Sequence, residues 1–264
     1  MGKGTGVTPR VGIVVPTLGN RSKFLAECLK SISLAGEAHV CIVAPSGFAS
    51  SAQFDVNFVD QIVEDPNQGL AAAINFGINS LPQDIDFVNW LGDDDLLEPG
   101  SLSDSIKILK IHSNVALVYG SCNYIDPTGR IVWFNKSGKW ASKILRFGPD
   151  LIPQPGCLIR RSAFEKVGGL DLCLDWAFDF DLFLKLKTVG RLHYLNKTLA
   201  NFRWHPTSLS VEFREKSVAE ASKVRVKHLP KILQPASKLW EIPIRKATLF
   251  AGTRITQKAG RLIP

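Results

Sequence analysis

Short apolar runs alternate with segments of helical spacing through the first 120 residues. The run Val11–Val15 is apolar, rich in β-branched residues and ended by Pro16, which is typical of a buried strand. From Ser22 to Leu34 the apolar residues recur at helical spacing. The alternation goes on to predict strands at His39–Ala44, Val59–Val63, Phe87–Leu91 and Val115–Tyr119, and helices at Gly69–Ile78 and Pro99–Ile111. This order predicts an α/β fold with a mostly parallel sheet flanked by helices.

The second half of the chain is less regular. Asn123–Trp133 indicates a hairpin that turns at Asp126–Gly129. A helix is expected at Phe180–Thr188 and a strand at His193–Arg203, and the tail from about Phe213 reads as helical.

Charge separates this tail from the rest of the chain. The net charge is +8, but residues 214–264 hold 12 Lys or Arg and only three Asp or Glu, a local charge of +9. The preceding residues carry −1. The tail interleaves basic and apolar residues, as interfacial helices do, so an anionic membrane surface is one expected partner and a solvated helix packed on the body is the alternative.

Cysteine usage and the termini bear on location. The five cysteines form no C-x-x-C pair, which argues against a zinc site or a disulfide framework and favours reduced thiols. No apolar signal core opens the chain, and no run of about 18 apolar residues occurs in it. These features predict a cytoplasmic protein, with a peripheral position on the inner membrane face if the tail binds lipid.

Three adjacent carboxylates, Asp93, Asp94 and Asp95, directly follow the strand that ends at Leu91. Their mutual repulsion is tolerable if Mg²⁺ or Mn²⁺ neutralises them, and such a cation also binds diphosphate oxygens. The alternative is a solvated loop that caps the next helix. Ligands of parallel sheets bind beyond the carboxyl ends of the strands, so this cluster and the loop Pro16–Arg21 should share one rim.

Three further segments are candidates for the same site. Small residues at Gly69, Ala73 and Gly77 allow close approach to a ligand, although simple helix–sheet packing explains them at least as well. Asp179 lies among aromatic residues, where a raised pKa would suit a general base, and helix capping is the alternative. Arg203 and His205 stand two apart at a strand end and could contact phosphate or metal, if His205 is not merely structural.

Taken together, these motifs resemble the inverting family 2 glycosyltransferases of the GT-A fold, from about Val11 to Ser210. The segments that carry the resemblance are, in chain order, Val15-Pro16-Thr17 with Arg21, Asn67-x-Gly69 with Ala73 and Asn75-x-Gly77, Asp94-Asp95 with the following Leu-Leu-Glu-Pro-Gly-Ser-Leu, Ile159–Arg161 with Val167–Gly169 and Asp179–Lys185, and Leu199-Ala200 with Arg203, His205 and Ser208–Ser210. Each match is weak alone, and their common order makes the resemblance specific.

The resemblance implies a domain division and a set of roles. It predicts a GT-A domain over residues 1–213, with a nucleotide half at about 10–120 and an acceptor half at about 121–213, followed by a basic helical extension over 214–264. Asp95, Asp94 and His205 would hold a divalent cation, Mg²⁺ or Mn²⁺, and Asp179 would deprotonate the acceptor. The residues expected to bind the nucleotide-sugar donor are Pro16, Thr17, Arg21, Asn67, Gly69, Asn75, Asp93, Asp94 and Arg203.

The implied reaction is metal-dependent transfer of a sugar, with inversion, from a nucleotide-sugar to a hydroxyl of a glycan or lipid-linked acceptor, in cell-surface polysaccharide synthesis. Nucleic acid is not an expected partner. The chain departs from the family at Ala44–Gly47, where many relatives carry base-binding acids, and at Gly92, which replaces the first Asp of the metal motif. The alternatives are a sugar-phosphate nucleotidyltransferase, poorly supported by the single glycine in Leu18–Arg21, and a non-catalytic carbohydrate- or anion-binding protein.

Overall fold

The computed structural model describes residues 10–48, 56–135, 138–205 and 213–260. Its strands are β1 (Arg10–Pro16), β2 (His39–Ala44), β3 (Gln61–Glu64), β4 (Ile85–Trp90), β5 (Leu96–Leu97), β6 (Val115–Ile125), β7 (Ile131–Asn135), β8 (Leu158–Arg160) and β9 (Arg191–Arg203). Its α-helices are α1 (Ser22–Ala35), α2 (Leu70–Ser80), α3 (Ser101–Ile111), α4 (Gly138–Ile144), α5 (Arg161–Lys166), α6 (Phe178–Val189), α7 (Arg214–Lys227) and α8 (Lys238–Gly260). The predicted α/β fold is confirmed.

The strands of the described residues form one sheet in the order β3-β2-β1-β4-β8-β6-β9-β5, with β7 beside β6. The block β3-β2-β1-β4 is parallel throughout, and β6 and β9 are also parallel. The short strand β8 runs antiparallel to both of its neighbours, β4 and β6, and so joins the two parallel blocks.

Apolar side chains on both faces of the sheet explain why its strands read as continuous hydrophobic runs. Along β1, Val14 belongs to one hydrophobic core and Ile13 and Val15 belong to another, because successive side chains of a strand point to opposite faces. The first core includes residues of α2 and α6, and the second includes residues of α1 and α3. Helices therefore cover both faces, as predicted.

Helix α2 lies unusually close to the sheet. A Cβ atom on Gly77 would be 2.6 Å from Val14 Cγ1 and 2.7 Å from Val43 Cγ2, well inside van der Waals contact. Packing of helix on sheet therefore accounts for this glycine, while Gly69 lies exposed ahead of the helix at a φ of 92°.

The register brings the ends of β1 and β4 together. Val14 pairs with Cys41 on one side and Trp90 on the other, and the Leu91 amide donates to the Val14 carbonyl at 2.9 Å. The loops that follow these two strands consequently leave the sheet at the same edge. This places Thr17 beside the acidic cluster, on the rim predicted from the sequence.

Some element boundaries differ from the sequence prediction. The strand expected at Val59–Val63 is β3, shifted to Gln61–Glu64 and preceded by a 3₁₀ turn at Val56–Phe58. The predicted hairpin is confirmed by the antiparallel pairing of β6 with β7. Strands β5 and β8 and helices α4 and α5 were not predicted, because segments of two to seven residues show too little hydrophobic periodicity.

Most of the described part of the basic tail is helical, as predicted, in α7 and α8, and α7 packs closely on the main body. Val224 of α7 is buried in the core that contains Phe180 and Leu184 of α6. Arg225 is also buried and makes an ion pair of 2.6 Å with Glu241 of α8. The domain boundary at residue 213 stays a prediction. Among the described helices, none has both the length and the apolar character needed to cross a membrane.

Candidate active site

Thr17 ties the end of β1 to the acidic cluster. Its hydroxyl donates to Asp93 Oδ2 at 2.5 Å and accepts the Gly19 amide at 3.0 Å, while its own amide donates to the Val43 carbonyl at 2.9 Å. Gly19 has a φ of 76°, a value that glycine reaches without a steric penalty. The predicted contact between the two strand ends is thus a direct side-chain hydrogen bond.

Arg21 neutralises two members of the cluster at once. Its guanidinium lies 2.7 Å from Asp93 Oδ1 and 2.5 Å from Asp94 Oδ2. The Arg21 side chain remains 32% exposed, whereas Asp93 is almost fully buried. Burial raises the pKa of Asp93, although the hydrogen bond from Thr17 and the charge of Arg21 oppose that shift.

His205 completes the contact set of Asp94. Its Nε2 lies 2.8 Å from Asp94 Oδ2, and its ring lies 5.9 Å, centroid to centroid, from that of Phe24. Burial opposes ionisation of Asp94, but the hydrogen bond to His205 and the charge of Arg21 outweigh it and lower the pKa of this carboxyl. Asp94 is therefore the member of the cluster whose ionised form its neighbours favour.

Arg203 anchors the third carboxylate. Its backbone amide donates to Asp95 Oδ1 at 2.9 Å, its Nε donates to the Asp94 carbonyl at 2.8 Å, and its guanidinium makes an ion pair with Glu27 at 2.7 Å. Burial, and then the charge of Asp94, raise the pKa of Asp95 well above its ordinary value. Arg203 therefore joins the end of β9 to the loop after β4, and its hydrogen bond to Asp95 is one of the contacts that hold this loop.

The donor set fits a hard divalent cation in part. Asp94 Oδ1 and Asp95 Oδ2 converge over Gly92, where an added Cβ would lie 2.9 Å and 3.2 Å from them. Within the described ranges, no three His, Cys, Asp or Glu side chains are grouped closely enough to hold a metal ion by themselves. Mg²⁺ and Mn²⁺ commonly bind through one or two carboxylates plus phosphate and water oxygens, so these residues fit a cation that arrives with a diphosphate.

Asp179 lies in the first turn of α6, where it is half-buried. Its Oδ1 accepts the amide of the next residue, Phe180, at 2.8 Å, whereas the N-cap residue of α6 is Ala177. Burial, opposed by that hydrogen bond and reinforced by the charge of Glu220, raises the pKa of Asp179 to about 6. Asp150 is a second half-buried carboxyl, and burial together with the charge of Asp179 raises its pKa well above the ordinary value.

An aromatic contact links the base candidate to the strand that carries the acids. The rings of Trp90, at the end of β4, and Phe178, which precedes Asp179, lie 6.4 Å apart between centroids. This contact connects the start of α6 to the end of β4, the strand that leads into the Asp93–Asp95 loop. Asp179 and the Asp93–Asp95 loop are more than 80 residues apart in the sequence, which indicates only their order along the chain.

Three further predicted donor-binding residues follow β3 or lie on α2. Asn67 is exposed with a φ of 57°, and its amide donates to Asp65 Oδ1 at 2.8 Å. Asn75 holds both polar backbone atoms of Leu170, at 2.9 and 3.0 Å, and so joins α2 to the segment before α6. Gly69 has open space around it. Their roles in donor binding, like that of Pro16 at the end of β1, stay predictions, and Ser208–Ser210 lie outside the described residues.

Sequence reasoning missed Glu27, Asp150 and Glu220. Glu27 is separated from its partner Arg203 by 176 residues, and Glu220 accepts amides 43 to 45 residues before it. Nothing local marks these acids, because each reads as an ordinary polar position on or between helices. Only the charge contrast between Glu220 and its basic neighbours was available as a signal.

No protein-family model matches the chain. It is 26% identical over 210 residues to an uncharacterized glycosyltransferase of Rickettsia typhi, across 75% of this chain and 65% of that protein. It is also 23% identical over 211 residues to a chondroitin synthase of Pasteurella multocida, across 77% of this chain and 22% of that protein. The predicted resemblance to family 2 glycosyltransferases is confirmed. The predicted enzyme class, glycosyltransferase, is that of these relatives. The chain spans less than two thirds of the length of each of them.

Solved glycosyltransferase structures share the fold. Residues 1–349 of Staphylococcus aureus TarS superpose with a TM-score of 0.60 at 16% identity, over 89% of this chain and 71% of that one. The mannosyltransferase PcManGT of Pyrobaculum calidifontis, in complex with GDP-Man and Mn²⁺, gives 0.59 at 16% identity, over 94% and 76%. This likeness confirms the predicted GT-A-type fold.

Proposed function

We propose that this chain is a metal-dependent inverting glycosyltransferase that moves a sugar from a nucleotide-sugar donor to an acceptor hydroxyl. The observation that supports the proposal is the presence of two carboxyl groups in different environments, one on each side of the Trp90–Phe178 contact. His205 and Arg21 favour the ionised form of Asp94, while Asp179 has a raised pKa and directly follows Phe178, whose ring contacts that of Trp90 at the end of β4. Such a division is typical of a site that binds charge at one carboxylate and moves a proton at another.

The donor end of the site is the cluster around Asp94. Arg21 is partly exposed and holds several N–H donors, so its guanidinium is suited to contact the donor's diphosphate. A divalent cation held by Asp94 and His205, with Asp95 as a further oxygen donor, would neutralise the charge that develops on the departing nucleoside diphosphate. Thr17 and Arg203 keep the loop that carries these side chains in place through the hydrogen bonds described above.

The acceptor end is Asp179. Its carboxylate takes the proton of the acceptor hydroxyl while that oxygen forms a bond to the anomeric carbon of the donor sugar. The bond from the anomeric carbon to the diphosphate oxygen breaks on the opposite side, so the configuration inverts and the nucleoside diphosphate leaves. A base with a pKa of about 6 is largely ionised at neutral pH and still basic enough to assist the transfer.

The relatives indicate the classes of substrate. TarS has been solved with UDP and UDP-GlcNAc, and PcManGT with GDP-Man. Relatives by sequence include chondroitin and hyaluronan synthases of Pasteurella multocida. We therefore propose a UDP- or GDP-sugar as donor and a glycan or lipid-linked hydroxyl as acceptor, in polysaccharide synthesis.

Donor binding by an Asp94→Asn variant tests the proposed site. Asparagine keeps the shape of Asp94 but removes its charge, so we expect the affinity for UDP- or GDP-sugars in the presence of Mn²⁺ to fall at least tenfold, roughly the worth of one charged contact. Asp104→Asn is the matched control, since Asp104 lies on α3 and makes ion pairs with Lys107 and Lys197. Calorimetric titration with and without Mn²⁺ gives the result. Equal affinities of wild type and Asp94→Asn would refute the site.

A peripheral membrane position of the basic extension is the second part of the proposal. Helix α8 exposes Leu239, Ile242 and Phe250, whose relative accessibilities are 80%, 56% and 61%. At 100° per residue these three fall on one side of the helix, among exposed Lys246 and Arg254. Apolar residues flanked by basic ones suit an anionic lipid surface.

Vesicle flotation tests this position without deleting α7, which belongs to the packed body. We expect the double variant Leu239→Ser/Phe250→Ser to lose most of its binding to anionic vesicles. Ile111→Ser, at a residue that is 72% exposed on α3, should bind as wild type does. If both variants float like wild type, the surface of α8 is not the lipid contact.

A further inference from the structure

Glu220 of α7 accepts three consecutive backbone amides of the turn that leads into α6. Its Oε2 lies 2.7 Å from the Trp176 amide and 2.7 Å from the Ala177 amide, and its Oε1 lies 3.2 Å from the Asp175 amide. A carboxylate that accepts several amides forms charge-assisted bonds, which are stronger than neutral ones. The start of α6 otherwise has no side-chain cap at its N-cap residue, Ala177.

The same helix holds both ends of the segment 171–181. Lys227, in the last turn of α7, makes an ion pair with Asp171 at 3.0 Å. His228, directly after α7, lies 2.8 Å from Asp181 Oδ1 through its Nε2. Lys227, Glu220 and His228 of the C-terminal extension therefore bind this stretch of eleven residues at its start, centre and end, respectively.

Asp179 stands inside this stretch, two residues after the last amide that Glu220 binds. We propose that Glu220 is a positioning residue, which fixes the turn that presents Asp179 and places a negative charge beside its carboxyl. This inference rests on the proposed role of Asp179 as the base. It assigns to the basic extension a part in building the acceptor side of the site.

The charged surroundings of Asp179 decide how the removal of Glu220 should act on its ionisation. The charge of Glu220, on α7, favours the protonated form of Asp179, and the charge of Asp179 in turn raises the pKa of Asp150 in the loop after α4. Buried Arg225 of α7 acts on Asp150 in the opposite sense, and the Cys157 thiol lies near both acids. Loss of the Glu220 charge should therefore lower the pKa of Asp179, which a purely structural role would leave unchanged.

Two substitutions separate the hydrogen bonds from the charge. Glu220→Gln keeps one acceptor oxygen and removes the charge, and Glu220→Asp keeps the charge on a side chain one methylene shorter. Glu215→Gln is the matched control, because Glu215 is an exposed acid on the same helix. All variants are made in the full chain, and thermal unfolding establishes that each is folded.

The first readout is amide hydrogen exchange at Trp176 and Ala177, which needs no substrate. In Glu220→Gln we expect these amides to exchange about tenfold faster or more, as the loss of a hydrogen bond to a charged group implies, and in Glu215→Gln to exchange as in wild type. Unchanged amide exchange in Glu220→Gln would overturn the inference, and this result does not depend on which substrate the enzyme uses.

The second readout is the pH profile of kcat/KM with the donor that the chain binds. Glu220→Gln should lower kcat about tenfold with little change in donor KM, and the acid limb of its profile should move to lower pH. Glu220→Asp should keep the limb at the wild-type pH. A limb that stays in place in Glu220→Gln would contradict the charge effect. A failure of the proposed function gives a different result: if Asp179 is not the base, the Asp179→Asn variant keeps its turnover.

Discussion

Replacement of Asp179 by Asn should stabilise the folded protein at neutral pH while it removes the base. Asparagine is neutral at every pH and retains the Oδ1 atom that accepts the Phe180 amide at 2.8 Å. Wild-type Asp179, by contrast, must be ionised in a half-buried position next to Glu220. A charge that is kept in such a position because the reaction needs it lowers the stability of the folded protein.

The magnitude follows from the pKa of the folded state. A rise from 3.8 to about 6 is roughly two units, and each unit corresponds to about 1.36 kcal/mol. Because the pKa is raised, the folded state binds the proton more tightly, so its extra stability is present below about pH 4 and is lost as the pH rises through about 6. Partial exposure reduces the full figure, and we expect about 1–2 kcal/mol between variant and wild type at pH 8.

Urea unfolding of both proteins at about pH 4 and pH 8 measures this difference. Asp179→Asn should be more stable than wild type at the higher pH, and the gap should nearly close at the lower pH. Asp175→Asn, at an exposed position of the same turn, is the matched control and should follow wild type at both. A gap that is equal at the two pH values, or a variant less stable than wild type at pH 8, would refute the reasoning.

Two further predictions concern packing. Gly77→Ala should destabilise the protein by about 1–3 kcal/mol in urea unfolding, because its Cβ would overlap Val14 and Val43, whose methyl carbons lie 2.6 and 2.7 Å from that point; a loss below about 0.5 kcal/mol would mean that α2 is free to shift. Glu241→Ala should cost about 3 kcal/mol, since it leaves the buried guanidinium of Arg225 without its carboxylate partner, and a stability equal to wild type would show that α8 does not contribute to the fold.

The long elements of the fold were predictable because their hydrophobic runs are long. Val11–Val15 and His39–Ala44 are buried on both faces of the sheet, so nearly every residue is apolar and the strand is plain in the sequence. Strand β8 has only three residues, Leu158–Arg160, and lies antiparallel between two longer strands. Its place depends on pairing with β4 and β6, which no local pattern encodes.

The candidate site divides in the same way. The acids at 93–95 and Thr17 were assigned to one rim because strand ends in a parallel sheet meet there, and the Thr17–Asp93 hydrogen bond of 2.5 Å agrees with that expectation. The bridging role of Arg21 and the buried position of Asp95 were not predictable, since they depend on which side chains fill the space between the strands. The role of Glu220 was not predictable for a further reason. It lies in a tail whose net positive charge indicates binding of external anions rather than an internal contact of an acid.

The most direct test of the central claim is single-turnover sugar transfer by wild type and Asp179→Asn, measured together with donor binding. With a UDP- or GDP-sugar, Mn²⁺ and a glycan acceptor, wild type should release the nucleoside diphosphate and give a product of inverted anomeric configuration. Asp179→Asn should bind the donor with unchanged affinity and transfer it at least about a hundredfold more slowly. Transfer at the wild-type rate by Asp179→Asn, or a product of retained configuration, would contradict the account.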